Sequence, residues 1–186
     1  MRILKASDRV ATPWKNGGGV TTEIAVFPQG AGFDDFGWRI SAAQVAQGGP
    51  FSTFPGIDRK LAILEGRMKL AIAGIGDLEL SRDTAPAEFP GDAATNATVL
   101  KGPVLDLNVM TRRDRFTSRL TRQKSSALAV DPRAATMIFA LTPMTVMQSG
   151  KEVSLTPHDV AIVEPGDGQI ALDADADFYR IEVAQA

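Results

Sequence analysis

The chain has 186 residues, with 20 Lys+Arg against 22 Asp+Glu, no cysteine and a single histidine. The missing cysteine excludes disulfides, thiolate zinc sites, iron–sulfur clusters and a cysteine nucleophile. The one histidine, His158, excludes a two- or three-histidine metal centre within one chain.

A net charge of −2 gives no electrostatic case for gripping a phosphate backbone, so no nucleic-acid partner is expected. No apolar run is long enough for a membrane span. The opening residues 1–8 hold too short an apolar stretch for a secretory signal. The expectation is a cytoplasmic protein with no membrane partner. The 17 Gly and 11 Pro are spread along the chain as punctuation between short Val-, Ile-, Leu- and Phe-rich segments. That pattern predicts an all-β sandwich or barrel.

In chain order, residues 20–27 read as a strand ending at Pro28, and 31–36 as a turn. Residues 37–45 alternate apolar and polar as a half-buried strand does. Gly48-Gly49-Pro50 breaks that strand, and Pro55-Gly56 marks another turn. Residues 59–74 predict two strands joined by a turn at Glu65-Gly66, followed by a strand over 77–81. Residues 83–97, rich in Ala, Pro, Asp, Asn and Thr, read as a loop. Residues 98–110 form a strand with Leu105, Leu107 and Val109 on one face and Asp106, Asn108 and Met110 on the other. The basic stretch 112–126 reads as a solvated connection. Short strands recur over 135–141, 144–148, 153–155, 159–164, 169–172 and 178–183. The spacing of 61–80 resembles that of 137–172, which suggests two related β units.

Leu64-Glu65-Gly66 between strands, and the run from Leu155 through His158 and Asp159 to Gly166, resemble halves of a cupin jelly roll. Four further blocks resemble the HutD/Ves family in its own order. They are Pro13-Trp14-Lys15-Asn16-Gly17-Gly18-Gly19 with Thr21, Thr22, Glu23 and Ile24; Trp38-Arg39-Ile40-Ser41; Gly49 to Arg59; and Asp106 to Met110 with Arg112-Arg113. These blocks span most of residues 13–113; beyond residue 115 the likeness is diffuse. The resemblance implies an all-β bicupin, two jelly-roll-like β-sandwich units packed in one compact chain. The units are expected over 1–112 and 113–186, with strand exchange between them. It also implies a link to histidine utilisation through binding or regulation by intermediates such as N-formylglutamate or urocanate. It transfers no catalytic reaction.

Read as chemistry, Gly17-Gly18-Gly19 after Asn16 is either an anion-binding nest of backbone N–H groups or a turn into the next strand. Lys15 beside it is either a ligand contact or a surface cation. Arg39 and Ser41 share a strand face that meets either solvent or the mouth of the roll, where an Arg clamps a carboxylate. Asp58 and Arg59 either pair with each other, or Asp58 orients Arg59 toward a pocket. Asp106 and Asn108 face either solvent or a polar cavity, where Asn108 offers donors and acceptors. Thr21 and Glu23 can join the same face. His158, between Pro157 and Asp159, reads as a surface turn residue. No cofactor and no metal are expected.

The leading expectation is a metal-free binding protein for a small anionic metabolite, with Lys15, Asn16, Gly17, Gly18, Arg39, Ser41, Asp58, Arg59, Asp106 and Asn108 as its ligand-binding residues. One alternative is a metal-independent enzyme using Asp58, Glu23, Asp106 or Lys15 as acid or base. Another is a protein-interaction scaffold. There the basic 112–124 stretch meets the segment from Lys151 to Glu182, with eight acidic and two basic residues, within the chain or across a homodimer.

Overall fold

A computed structural model of the protein describes residues 1–15, 17–164 and 168–186. In chain order the strands are β1 (Arg2–Leu4), β2 (Ala11–Pro13), β3 (Gly19–Phe27), β4 (Trp38–Val45), β5 (Gly49–Pro50) and β6 (Ile57–Ile72). There follow β7 (Gly76–Ser81), β8 (Ala87–Pro90), β9 (Thr95–Arg112), β10 (Phe116–Lys124), β11 (Ala127–Leu128) and β12 (Ala134–Ala140). The last are β13 (Met144–Gln148), β14 (Lys151–Leu155), β15 (Val160–Val163), β16 (Ile170–Leu172) and β17 (Asp177–Gln185). A single 3-10 turn, Ala6–Asp8, is the only helical element among the described residues. The fold is all-β, with two jelly-roll-like units.

The larger unit comprises Val10–Phe116 with Ala186. Its sheet runs β2-β3-β4-β9-β6-β7, with β5 added to β9 and β8 added to β6. Two long strands, β6 with 16 residues and β9 with 18, let this one sheet fold over its own core. Register shifts at Ile63/Glu65, Glu65/Arg67 and Arg67/Met68 make the bend. A bulge adds an unpaired residue and sharpens the local twist, so the core-facing parity changes across it. Leu61 and Ile63 face the core before the bend, and Met68, Leu70 and Ile72 after it.

The expected turn at Glu65-Gly66 is therefore a bulge within one continuous strand. Gly66 has φ +80°, and a Cβ there would lie 2.6 Å from the Lys101 carbonyl oxygen and 2.8 Å from that of Pro103. Only a residue without Cβ fits such a backbone crossing. The expected loop over 83–97 also differs. It contains β8, which pairs with β6 at Arg59↔Phe89 and Leu61↔Ala87, and it contains the start of β9. The polar composition hides a strand of only four residues, because short edge strands carry few side chains to set a period.

The second unit comprises Met1–Arg9 and Thr117–Gln185. Its sheets run β1-β15-β12-β17-β10 and β11-β16-β13-β14. Between them lies a core of Ile138, Ala140, Val146, Leu155, Val163, Ile170, Leu172 and Phe178. The first nine residues thus belong with the C-terminal unit, since Arg2–Leu4 pair with Val160–Ile162. Asp159 fixes the chain just after that strand: Ala6 N–H donates to its Oδ1 at 2.7 Å and Lys5 Nζ to its Oδ2 at 3.0 Å. His158 occupies a turn with φ +71°. It is half-buried and stacks on Phe139, ring centroids 5.4 Å apart, so the expected surface position is corrected: the ring is part of the packing.

Candidate functional site

Antiparallel partners project to the same face of a sheet. In the larger unit β4 and β9 pair at Arg39↔Met110, Ser41↔Asn108 and Ala43↔Asp106. β6 and β9 pair at Arg59↔Met110, Leu61↔Asn108 and Ile63↔Asp106. β3 adds Glu23 opposite Ser41 and Thr21 opposite Ala43. Arg39, Ser41, Arg59, Asp106 and Asn108 therefore share the core-facing side of one sheet. They are layered: Arg39 and Arg59 at one level, Ser41 and Asn108 next, Asp106 beyond. Past Asp106 the face becomes apolar, with Val45 opposite Val104. The opposite face of the same strands carries Ile40, Ala62, Leu107 and Val109, all buried.

The polar face is buried too. Relative exposure is 7% for Arg59, 3% for Asp106, 8% for Asn108 and 8% for Arg39. Burying a charge or amide is costly unless it is paired. Arg39 meets that requirement: its Nε donates to Glu23 Oε2 at 3.0 Å, its Nη1 donates to Ser41 Oγ at 3.3 Å, and the guanidinium lies 4.7 Å from the Phe33 ring centroid. Arg59 is different. Its guanidinium sits among Phe51, Phe89 and Phe54 at 4.8, 5.3 and 5.8 Å from the ring centroids. Its Nε has no hydrogen-bond partner among the described residues. Asp106 Oδ1 and Asn108 Oδ1 are also without partners. Among the described residues, this interior face thus holds one unpartnered buried donor and two unpartnered buried acceptors.

Burial pushes the Asp106 carboxyl up to about 7, against the opposing effects of the Arg59 charge and the Ala43 amide. Burial also lowers the proton affinity of Arg59, and the Asp106 charge offsets part of that. A guanidinium remains protonated at neutral pH regardless. The arrangement is a buried, permanent cation facing a carboxyl that changes charge near neutrality.

Two loops form an aromatic cover over the arginine level. Residues 51–56 are pinned by Phe51 N–H to Thr95 O at 2.9 Å, Phe54 N–H to Gly91 O at 2.8 Å and Arg113 N–H to Gly56 O at 2.9 Å. Residues 28–37 are held by Arg112, whose Nε donates to Phe36 O and whose Nη2 donates to Asp34 O, both at 3.1 Å. Phe33 of this loop is 58% exposed and stacks on Phe54 at 5.8 Å. Phe51, Phe54, Phe89 and Phe33 were not singled out from sequence. The first two lay within a quoted motif, but only the fold turns them toward Arg59; Phe89 lay in the segment read as a loop.

The other predicted site residues do not join this face. Asp58 projects to the opposite side and accepts from Arg113 Nε at 2.7 Å. Arg113 Nη2 also donates to Asp92 Oδ2 at 2.7 Å, and Asp92 Oδ1 accepts from Gly56 N–H at 3.0 Å. Asp58 thus clamps the 51–56 loop and does not orient Arg59. Lys15 is exposed in a turn. Asn16 lies outside the described residues.

The glycine run is a tight turn: Gly17 has φ +71° and donates its N–H to Trp14 O at 3.0 Å. Gly18 O accepts from Ala46 and Gln47 N–H. At Gly19 a Cβ would lie 2.4 Å from Gln44 O and 3.1 Å from the Trp14 ring. Close packing accounts for Gly19. The Trp14 indole in turn donates to Thr21 Oγ1 at 2.7 Å.

Two surface depressions, around Asp131 and Arg133 and around Arg67, Glu79 and Lys101, contain none of the predicted residues. No group of three or more His, Cys, Asp or Glu side chains fit to hold a metal occurs among the described residues. Among the described residues, no helix is long and apolar enough to cross a membrane.

Comparison with known proteins agrees with this architecture. The chain is 32% identical over 189 residues to an uncharacterized 21.2 kDa protein in the hutC 3′ region of Pseudomonas putida, covering 98% of this chain and 97% of that one. Protein Ves of Citrobacter koseri is 39% identical over 109 residues, 58% of this chain and 56% of that one. Among solved structures, HutD from Pseudomonas fluorescens SBW25 superposes with a TM-score of 0.84 at 28% identity, covering 100% of this chain and 98% of that one. YlbA from Escherichia coli, at 11% identity and a TM-score of 0.73, covers 99% of this chain and 90% of that one and shares the fold alone. The HutD family model matches residues 6–179, and the chain belongs to the HutD family.

Proposed function

We propose that this protein binds a small anionic metabolite on the interior face of its larger unit and acts as a sensor or regulator in histidine utilisation. One observation carries the binding reading: Arg59 Nε, Asp106 Oδ1 and Asn108 Oδ1 are buried on one face with no hydrogen-bond partner among the described residues. A ligand carboxylate would satisfy Arg59, a ligand N–H or O–H would satisfy Asn108 Oδ1, and Asp106 Oδ1 is left to meet the ligand according to its own protonation. The aromatic rings around Arg59 exclude water and strengthen that attraction. The donor set of guanidinium, amide and carboxyl suits an organic anion and not a transition metal, which supports a metal-free site. The pathway assignment is supported by the P. putida relative's place in the hutC 3′ region and by the family name.

A thermal-shift and calorimetry panel of carboxylates tests this reading, with N-formylglutamate and urocanate first. A ligand that binds only the folded state raises the melting temperature with concentration. Absence of any shift at millimolar ligand across the panel overturns the reading.

A metal-independent enzyme is the second reading, favoured by the Asp106 carboxyl standing near 7, where an acid–base group works best. Turnover of a pathway intermediate by metal-stripped protein, abolished in Asp106→Asn, would establish it.

A further inference from the structure

The charge balance of the buried face bears on how an anion could enter it, given the anion-binding reading above. β6 contributes Arg59 between apolar neighbours Ile57 and Leu61; β9 contributes Asp106 and Asn108; β4 contributes Arg39; β3 contributes Glu23. The neighbouring β8 and the 51–56 loop place the rings of Phe89, Phe51 and Phe54 around Arg59, and neither β8 nor residues 51–56 contributes a buried charged side chain. Lys60 and Asp58 project from the other side of β6, where Lys60 pairs with Glu88 and Asp58 with Arg113. Arg39 and Glu23 cancel each other through their 3.0 Å ion pair. Among the described residues of the larger unit, that leaves one buried cation, Arg59, and one buried ionisable acid, Asp106.

With Asp106 ionised, that interior is neutral, and an arriving anion would leave it with an unbalanced negative charge in a low-dielectric setting. With Asp106 protonated, Arg59 is unbalanced and the anion completes the pair. We propose that the anion enters the Arg59 site together with one proton, which is taken from solvent and held on Asp106, so that binding weakens as the solution becomes more alkaline. Asp106 Oδ1, which has no hydrogen-bond partner among the described residues, is available to carry that proton. One O–H bond forms on Asp106 as the bond to that proton breaks in a hydronium ion or buffer acid of the solvent, and no other bond changes. The resting carboxyl already stands near 7, with Arg59 holding it down. An anion that neutralises Arg59 removes that restraint and pushes the carboxyl higher still, which is the reciprocal statement of the same coupling. Asp106 would thereby determine under which conditions the site fills.

Calorimetric titration with N-formylglutamate, from about pH 6 to about pH 8.5 in two buffers of different ionisation enthalpy, tests the coupling. The expected result is uptake approaching one proton per ligand on the alkaline side. Affinity should fall by up to about tenfold per pH unit there. Asp106→Asn should bind without proton uptake and with a flat pH profile. Should that variant fold poorly, the carbon-13 resonance of the Asp106 carboxyl in the wild-type protein serves instead, and its titration should move upward when ligand is added. Binding by the wild type with no proton uptake and no pH dependence overturns the coupling and leaves the anion reading standing. Failure of the wild type to bind at any pH overturns both.

Discussion

Arg59 and Asp106 project onto the same buried face of the larger unit, Arg59 level with Met110 and Asp106 level with Ile63. Each keeps a polar atom that no described residue satisfies. A binding protein has a use for such a pair that a purely structural core does not, because unsatisfied buried groups cost about 1–3 kcal/mol each.

The pair makes stability depend on pH in a defined direction. The Asp106 carboxyl is raised from the ordinary 3.8 to about 7 by burial. Between those values the unfolded chain has released its proton and the folded chain has kept it, so stability falls as pH rises through that window. Replacing Asp106 by Asn removes the charge and keeps the shape. The variant should melt higher than wild type near pH 8, by roughly 3–6 °C, and should show no advantage near pH 4. Thermal unfolding followed by circular dichroism at both values checks this; a wild type that gains stability from pH 5 to 7 through this residue contradicts it.

Asp159 shifts the other way. Burial alone would raise its carboxyl, but Ala6 N–H, Thr156 N–H, Lys5 and the Thr156 hydroxyl outweigh that and hold it at about 2. Its contribution is complete above about pH 4 and is lost as pH falls toward 2. Asp159→Asn should lower stability at neutral pH by about 2 kcal/mol and release the first residues from β15. Faster amide exchange at Arg2–Ala6 in the variant is the expected sign.

Gly66→Ala meets two carbonyl oxygens at 2.6 and 2.8 Å and a φ of +80°. Relief requires moving backbone on both β6 and β9. The loss should be about 2 kcal/mol or more, read from the urea midpoint. A loss below ~0.5 kcal/mol would show that the bend in β6 is not set by this glycine.

Arg113 holds Asp58 and Asp92 at 2.7 Å each, and all three side chains are about half exposed. Screening keeps the global effect of Arg113→Ala within about 1 kcal/mol. Local exchange should respond more: the amides of Phe54 and Gly56 should open faster while those of β9 remain protected. Unchanged exchange at both would remove the clamp role.

Much of the buried polar face was legible because β9 alternates cleanly. Asp106 and Asn108 against Leu105, Leu107 and Val109 is a period that only a two-faced strand produces. Trp38-Arg39-Ile40-Ser41 carries the same signal. What sequence left open was the side on which each polar set lies, since a buried cavity and water both accept polar residues. Asp58 was misleading for this reason: adjacency to Arg59 in sequence places it on the opposite face of a strand, where it meets Arg113 instead. Phe89 was hidden because β8 has four residues and sits in an Ala/Pro/Asp-rich stretch. The triple glycine drew attention as a nest, whereas Gly19 answers to Gln44 O and Trp14, a close approach that no local pattern shows. The domain boundary was blurred by β1, whose partner β15 lies more than 150 residues away in sequence; a three-residue strand carries no mark of such a partner.

Arg59 is the group proposed to receive a ligand carboxylate. Calorimetric titration of N-formylglutamate and urocanate into wild type, Arg59→Lys and Arg59→Met near pH 6.5 tests it most directly. A lysine keeps the charge but loses the guanidinium fork and its stacking on Phe51 and Phe89. The expected result is saturable one-to-one binding of at least one of the two by wild type, about tenfold or more weaker for Arg59→Lys and undetectable for Arg59→Met, with all three chains folded. Equal affinity in folded Arg59→Met, or no binding of either compound by the wild type, would contradict it.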